Sequence, residues 1–252
     1  MGWLAAGWRD LRQCATLSLL HGLVAAMFGA LLLTVADQSF WFLAGTFSGF
    51  LMVAPILATG LYAMSRALEL GQPADLALLL KTWLNWQDGR IQPWSPAHWA
   101  LVKFGVLLAA VSSLWVIASA ALLLYLAPHP IVSLQEFVQT MVLEHHGLLL
   151  ETWLALGGVM AAPIFACTVL TVPMLLDREV SLRTAIVTSF QVVAAQPLPM
   201  AVWGGLLLVL TLLGFASALL GLIVVMPLLG HASWHAYRDS LDASGWPLRE
   251  AR

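Results

Sequence analysis

Residues 184–237 read TAIVTSFQVVAAQPLPMAVWGGLLLVLTLLGFASALLGLIVVMPLLGHASWHAY, with no lysine, arginine, aspartate or glutamate among them. One membrane crossing takes about 20 apolar residues at about 1.5 Å each, so this stretch is too long for a single helix. An amphipathic segment near Ser181–Ala194 is closed by Pro197 and Pro199. The remainder divides into two spans, about 200–215 and 218–237, joined by a tight turn. Arg183 stands before the stretch and Arg238 after it, so the hairpin leaves one side of a membrane and returns to it.

The other cations obey the same rule. Arg9 and Arg12 precede a first apolar run, about 17–36. A second run, about 40–64, follows after the short turn Asp37-Gln38-Ser39. Arg66, Lys81, Arg90 and Lys103 lie between the second run and a third, about 99–126, with Lys103 in its first turns. A fourth run covers about 148–176, and Arg178 and Arg183 come next. Arg249 and Arg252 join Arg238 after the sixth. The other three connections hold no lysine or arginine, and cationic side chains mark the cytoplasmic face. The pattern predicts an all-α, polytopic membrane protein. It has six transmembrane helices in three hairpins, one domain over 1–252, and both termini cytoplasmic.

Composition agrees. The chain is 61% hydrophobic and 10% charged, with a mean hydropathy of +0.88, whereas soluble domains are about a quarter charged. In lipid the backbone must satisfy itself, and long unbroken apolar runs select helices over a barrel. Net charge is −2, without the broad basic surface that nucleic acid requires. Two cysteines, Cys14 and Cys167, make no disulfide framework and no CxxC motif. Thr34-Val35-Ala36 has the small residues of a cleavage site, but the preceding run is too long for an ordinary signal peptide, so it is read as a retained span.

Amphipathic segments flank the spans. Trp8, Leu11, Ala15 and Leu19 recur at helical spacing with Arg9, Asp10, Arg12 and Gln13 elsewhere, which predicts an interfacial helix on the cytoplasmic leaflet. Another is expected near Asp75–Trp86. Ser95-Pro96 is a helix start. Ser133-Leu134-Gln135-Glu136 reads as a capping box opening a short helix with Leu134, Phe137, Val138, Met141 and Val142 on one face.

A threefold repeat of Gly-x5-Pro joins Gly49 to Pro55, Gly157 to Pro163 and Gly221 to Pro227. Aligning the first and third without gaps sets Arg66 opposite Arg238. Proline frees a carbonyl and bends a membrane helix, so Pro55, Pro163 and Pro227 mark either packing kinks or a small cavity. His231 and His235 share one helix face and could hold haem or a metal ion; the plainer reading is two hydrogen-bonded interfacial histidines. His21 and Cys14 are possible further ligands. Glu144, His145, His146 and Glu151, with His129, form a polar group on the outer side, read as solvated loop or weak metal site. There is no HExxH, GxSxG, Walker loop or GxGxxG, and no ionisable residue lies deep in a span, where ion-coupled pumps need one.

The strings VPMLLDREVSLRTAIVTSFQVVAAQPLPM and LLGFASALLGLIVVMPLLGHASWHAYRD, with APILATGLYAMSRALELG, resemble the proteobacterial integral membrane proteins grouped as domain of unknown function 2189. The resemblance implies a six-span, multi-pass protein of the bacterial inner membrane with no established activity, and a His-x3-His corresponding to His231 and His235. No catalytic residue transfers. The expected function is a non-enzymatic accessory or scaffold for a membrane complex, with the lipid bilayer and a membrane-protein partner as its contacts. The alternatives are a passive conduit or transporter for a small molecule or lipid, and a haem- or metal-binding protein using the histidine pair.

Overall fold

The computed structural model describes residues 2–35, 41, 42, 44–46, 58–84, 96–144 and 148–249. Their regular structure is helical, with one isolated antiparallel bridge, Arg178 to Leu248, and no strand among the described residues. The helices are α1 (Gly2–Gln13), α2 (Ala15–Val35), α3 (Thr59–Glu69), α4 (Leu76–Leu84), α5 (Pro96–Leu126), α6 (Leu134–Val138), α7 (Leu149–Thr168), α8 (Thr171–Asp177), α9 (Leu182–Ala195), α10 (Pro197–Ala216) and α11 (Leu222–Ser240).

Four stretches are long and apolar enough to cross a membrane: Ala15–Thr34, Lys103–Leu126, Leu149–Asp177 and Pro197–Ala216. Between 17% and 44% of each apolar window is buried in protein, so lipid must cover the rest. The fifth sequence span is longer than expected. It begins at Pro197, where proline suits the first helical turn, and its 20 residues reach about 30 Å, the hydrocarbon thickness. The sixth, on α11, is not among the four, because its second half carries His231, Ser233, His235, Arg238 and Asp239. Most of the second lies outside the described residues.

Contacts divide the chain into two compact units, one of residues 1–29, 55–104 and 165–252, the other of 30–54 and 105–164. In the second, Leu123, Ile131, Met141 and Leu149 form the core, with Phe137 and Trp153 against it. Trp153 donates its indole N–H to Ser119 Oγ at 2.6 Å and packs on Trp115 with ring centres 5.5 Å apart. Ser133 caps α6 as expected, accepting from the Glu136 amide at 3.1 Å. The reciprocal bond is shifted by one residue, from the Val132 amide to Glu136 Oε2 at 2.8 Å. The single face expected here is broken by a π-helical turn, Gln139–Leu143, whose extra residue per turn leaves Met141 in the core and Val142 exposed.

The first unit is built on close backbone contact between α1–α2 and α11. A Cβ placed on Gly7 would stand 2.6 Å from the Ala232 amide nitrogen and 2.8 Å from its Cα. Of the apolar residues that periodicity set on one side of this helix, Leu11 is turned into the protein and Trp8 and Leu19 are left exposed. Ala6, Gly7, Asp10, Leu11, Cys14 and Ser18 are buried, while Trp8 is 42% and Leu19 36% exposed. Small residues at the contact let two membrane helices approach, and the bulky ones are left for lipid. Backbone bonding continues through Cys14, from its amide to the Asp10 carbonyl at 3.1 Å and from the Ser18 amide to the Cys14 carbonyl at 3.0 Å, so α1 and α2 meet at a bend rather than a loop.

The fourth sequence span is interrupted between α7 and α8. Pro173 has no N–H, and its ring clashes with the carbonyl four residues back, that of Val169, where the helix breaks. The Ser189 hydroxyl from α9 repairs the gap. It donates to the Ala166 carbonyl at 2.7 Å and accepts from the Leu170 amide at 3.1 Å, the two groups that an unbroken helix would have paired.

Candidate functional site: a buried chain of serines, histidines and aspartate

His231, fully buried on α11, has a partner on each ring nitrogen. Nδ1 lies 2.8 Å from Ser65 Oγ and Nε2 lies 2.9 Å from Ser18 Oγ. Ser65 gives its only hydroxyl proton to Asp10 Oδ2 at 2.7 Å, so it must accept from His231 Nδ1–H. With the ring neutral, Nε2 is then the acceptor for the Ser18 hydroxyl. One turn further along α11, His235 Nε2 donates to the same Asp10 oxygen at 2.8 Å. The histidines expected to form a pair thus reach one carboxylate, His235 directly and His231 through Ser65.

Asp10 is the anchor. Burial opposes its charged form, but the hydrogen bonds from His235 and Ser65 outweigh burial and hold the carboxyl below its ordinary value. Cys14 stands beside the chain, 3.3 Å from Ser18 Oγ and 3.9 Å from His231 Nε2. Burial pushes its thiol up, in keeping with the S–H donating to the Asp10 carbonyl at 3.1 Å.

Ser18, His231, Ser65 and Asp10 are the residue types of a nucleophile, a base and its orienting groups. Chemistry also needs room for a substrate. Neither serine nor His231 lines the cavity found in this unit, and all four are buried. The network fastens α1, α2, α3 and α11 together. Among the described residues no group of three or more His, Cys, Asp or Glu side chains is arranged to hold a metal ion.

A second network surrounds Asp177, at the end of α8. Its Oδ1 accepts from Arg66 Nε at 2.9 Å, and its Oδ2 accepts from Arg178 Nε at 2.8 Å and from the Tyr237 hydroxyl at 2.9 Å. Arg238 Nη1 lies 3.7 Å away. Arg66 and Arg238, opposite each other in the repeat alignment, therefore reach the same carboxylate. The tail is tied in by the Arg249 amide to the Asp177 carbonyl at 2.8 Å, Arg66 Nη2 to the Arg249 carbonyl at 2.8 Å and Arg178 Nη1 to the Trp246 carbonyl at 3.0 Å. Arg238 also pairs with Glu69 at 2.9 Å, which accepts from the Trp234 indole at 3.0 Å.

Pro163 lies inside α7 and Pro227 inside α11, in separate units; Pro55 and Gly49 lie outside the described residues. Pro227 frees the carbonyl of Ile223, and a Cβ on Gly22 would collide with that oxygen and stand 2.6 Å from its carbon. A neighbouring helix covers the freed group. In the polar group expected on the outer side, Gln139 donates to Glu144 at 2.8 Å and Thr140 lies 3.4 Å from His129; His145 and His146 lie outside the described residues.

Sequence reasoning singled out His231, His235 and Cys14 but missed Asp10, Ser18, Ser65 and Asp177. The one available signal was the alignment of Arg66 with Arg238.

No curated protein and no solved structure matches the chain. The family described as predicted integral membrane protein, domain of unknown function 2189, matches residues 42–177, more than half of it. Arg66, Glu69 and Asp177 lie within the match, whereas Asp10, His231 and His235 lie outside it. With helices fit to cross a bilayer and this match, the chain is an integral membrane protein and belongs to that family.

Proposed function

We propose that this protein is a non-enzymatic accessory or scaffold of a membrane complex. In this reading it forms a single six-span domain of three hairpins in the bacterial inner membrane, with both termini in the cytoplasm. The observation that carries the functional reading is the closure of its polar side chains on one another. Both nitrogens of His231 and the Asp10 and Asp177 carboxylates are engaged within the unit, which suits a rigid platform better than a reaction centre. The topology is supported by Arg66, Arg178, Arg238 and Arg249, which gather with Asp177 in one layer, as cations sharing one membrane face should. The polar half of α11 packs against α1 and α3, so its polar groups meet protein rather than lipid.

Haem or metal on His231 would have to displace Ser18 or Ser65, and on His235 it would compete with Asp10. The platform reading is tested by crosslinking tagged protein in native membranes. A membrane protein recovered in fixed stoichiometry is the expected result. Purification of the chain alone, together with leakage of a defined solute from liposomes carrying it, would establish the conduit instead.

A further inference from the structure

A cavity of about 740 Å³ opens in the first unit between the start of α1, the end of α3, the start of α10 and the end of α11. Its walls differ in chemistry. Leu198, Val202, Trp203 and Leu206 of α10 supply an apolar side, and Glu69, His235, Arg238 and Asp239 a polar one. The apolar side continues into the membrane: Leu198 is 73% and Val202 53% exposed, and Gly205, Val209 and Leu212 extend the same exposed stripe at helical spacing. An acyl chain lying along α10 would thus lead its headgroup into the cavity.

Trp203 is 1% exposed, with Trp3 packed edge-on against it at 5.5 Å between ring centres, so it closes the apolar wall and its indole N–H is not open to the cavity. Asp239 accepts from the Trp3 indole at 2.8 Å, but no cation among the described residues pairs with it. Arg238 adds a guanidinium shared between Glu69 and Asp177. The cavity therefore offers the Arg238 guanidinium to a phosphate oxygen and the exposed Asp239 carboxylate to an ammonium.

We propose that this cavity binds one phospholipid with a primary-amine headgroup. Its ammonium pairs with Asp239, its phosphodiester oxygens meet Arg238, and its chains lie on the Leu198–Val202 stripe. This goes beyond the platform reading and stands whether or not a protein partner exists.

The test is native mass spectrometry of the detergent-purified full chain, titrated separately with dioleoyl phosphatidylethanolamine, phosphatidylglycerol and phosphatidylcholine, and with soluble glycerophosphoethanolamine. One phosphatidylethanolamine per chain is expected, held about tenfold more tightly than the other two lipids, the equivalent of one charge-assisted contact. Asp239→Asn should remove that preference. Val202→Trp, at an exposed position, should block all retention while leaving the circular dichroism unchanged. Equal retention of the three lipids, or tighter phosphatidylglycerol, overturns the proposal. So does equal binding of glycerophosphoethanolamine, which would make the ligand a soluble headgroup.

Discussion

Asp10 and His235 lie 225 residues apart in the chain and 2.8 Å apart in space. Their bond fastens the amphipathic first helix to the last, and Ser65 adds α3 by donating to the same carboxylate oxygen. Because Asp10 is charged and buried, losing it leaves two donors unpaired. Asp10→Ala should destabilise the folded protein by about 2–3 kcal/mol, the value of hydrogen bonds to a charged group. Hydrogen exchange should show the amides of α1 opening before those of α10.

The same residue sets an acid limit. Its folded value is depressed, so its stabilising effect is complete above the ordinary carboxylate range near pH ~4 and is lost as pH falls through the folded value. Melting in detergent between pH 7 and pH 3 should fall at the acid end. In Asp10→Asn that dependence should flatten while His231, His235 and Cys14, the titratable groups facing Asp10, are unchanged. An identical acid slope in the variant would assign it to other carboxylates.

Ser189 occupies the break that Pro173 imposes on the fourth sequence span. Ser189→Ala would leave the buried Leu170 amide without its acceptor and should cost about 1–3 kcal/mol. Chemical denaturation in mixed micelles reads this directly. Ser189→Thr, which keeps the hydroxyl, should recover part of the loss.

Two glycine-to-alanine changes should differ sharply. At Gly22 the new Cβ meets the backbone of Ile223 within 2.6–2.7 Å, so helices must separate, at about 1–3 kcal/mol. At Gly158 nothing lies within 4 Å of the new atom, and alanine's better helix propensity favours it slightly. Thermal melting of the two variants compares them; equal losses would show that helix approach at Gly22 does not matter.

Occupied ring nitrogens on His231 predict that the purified protein has no Soret band and no stoichiometric metal. His231→Gln should then lower stability without changing any absorption above the aromatic region. A haem spectrum lost in that variant would reverse the assignment.

The sequence by itself determined the solvent, the helical class and the family. Hydropathy over about 20 residues and the positions of cations are properties of single segments, so they are legible along one dimension. It also located the cap of α6, made by Ser133 accepting from the Glu136 amide at 3.1 Å, because a cap is decided within four residues. Only the tertiary structure decided which face of α1 is buried. Periodicity put Trp8 and Leu19 on the apolar side of an interfacial helix, where they are exposed, but gave no sign that Gly7 is the residue packed closely on Ala232. The same holds for Asp10 with His235 and Arg66 with Asp177. Each is an isolated polar residue whose partner lies more than a hundred positions away, and no local pattern records a pairing that arises only when the helices assemble.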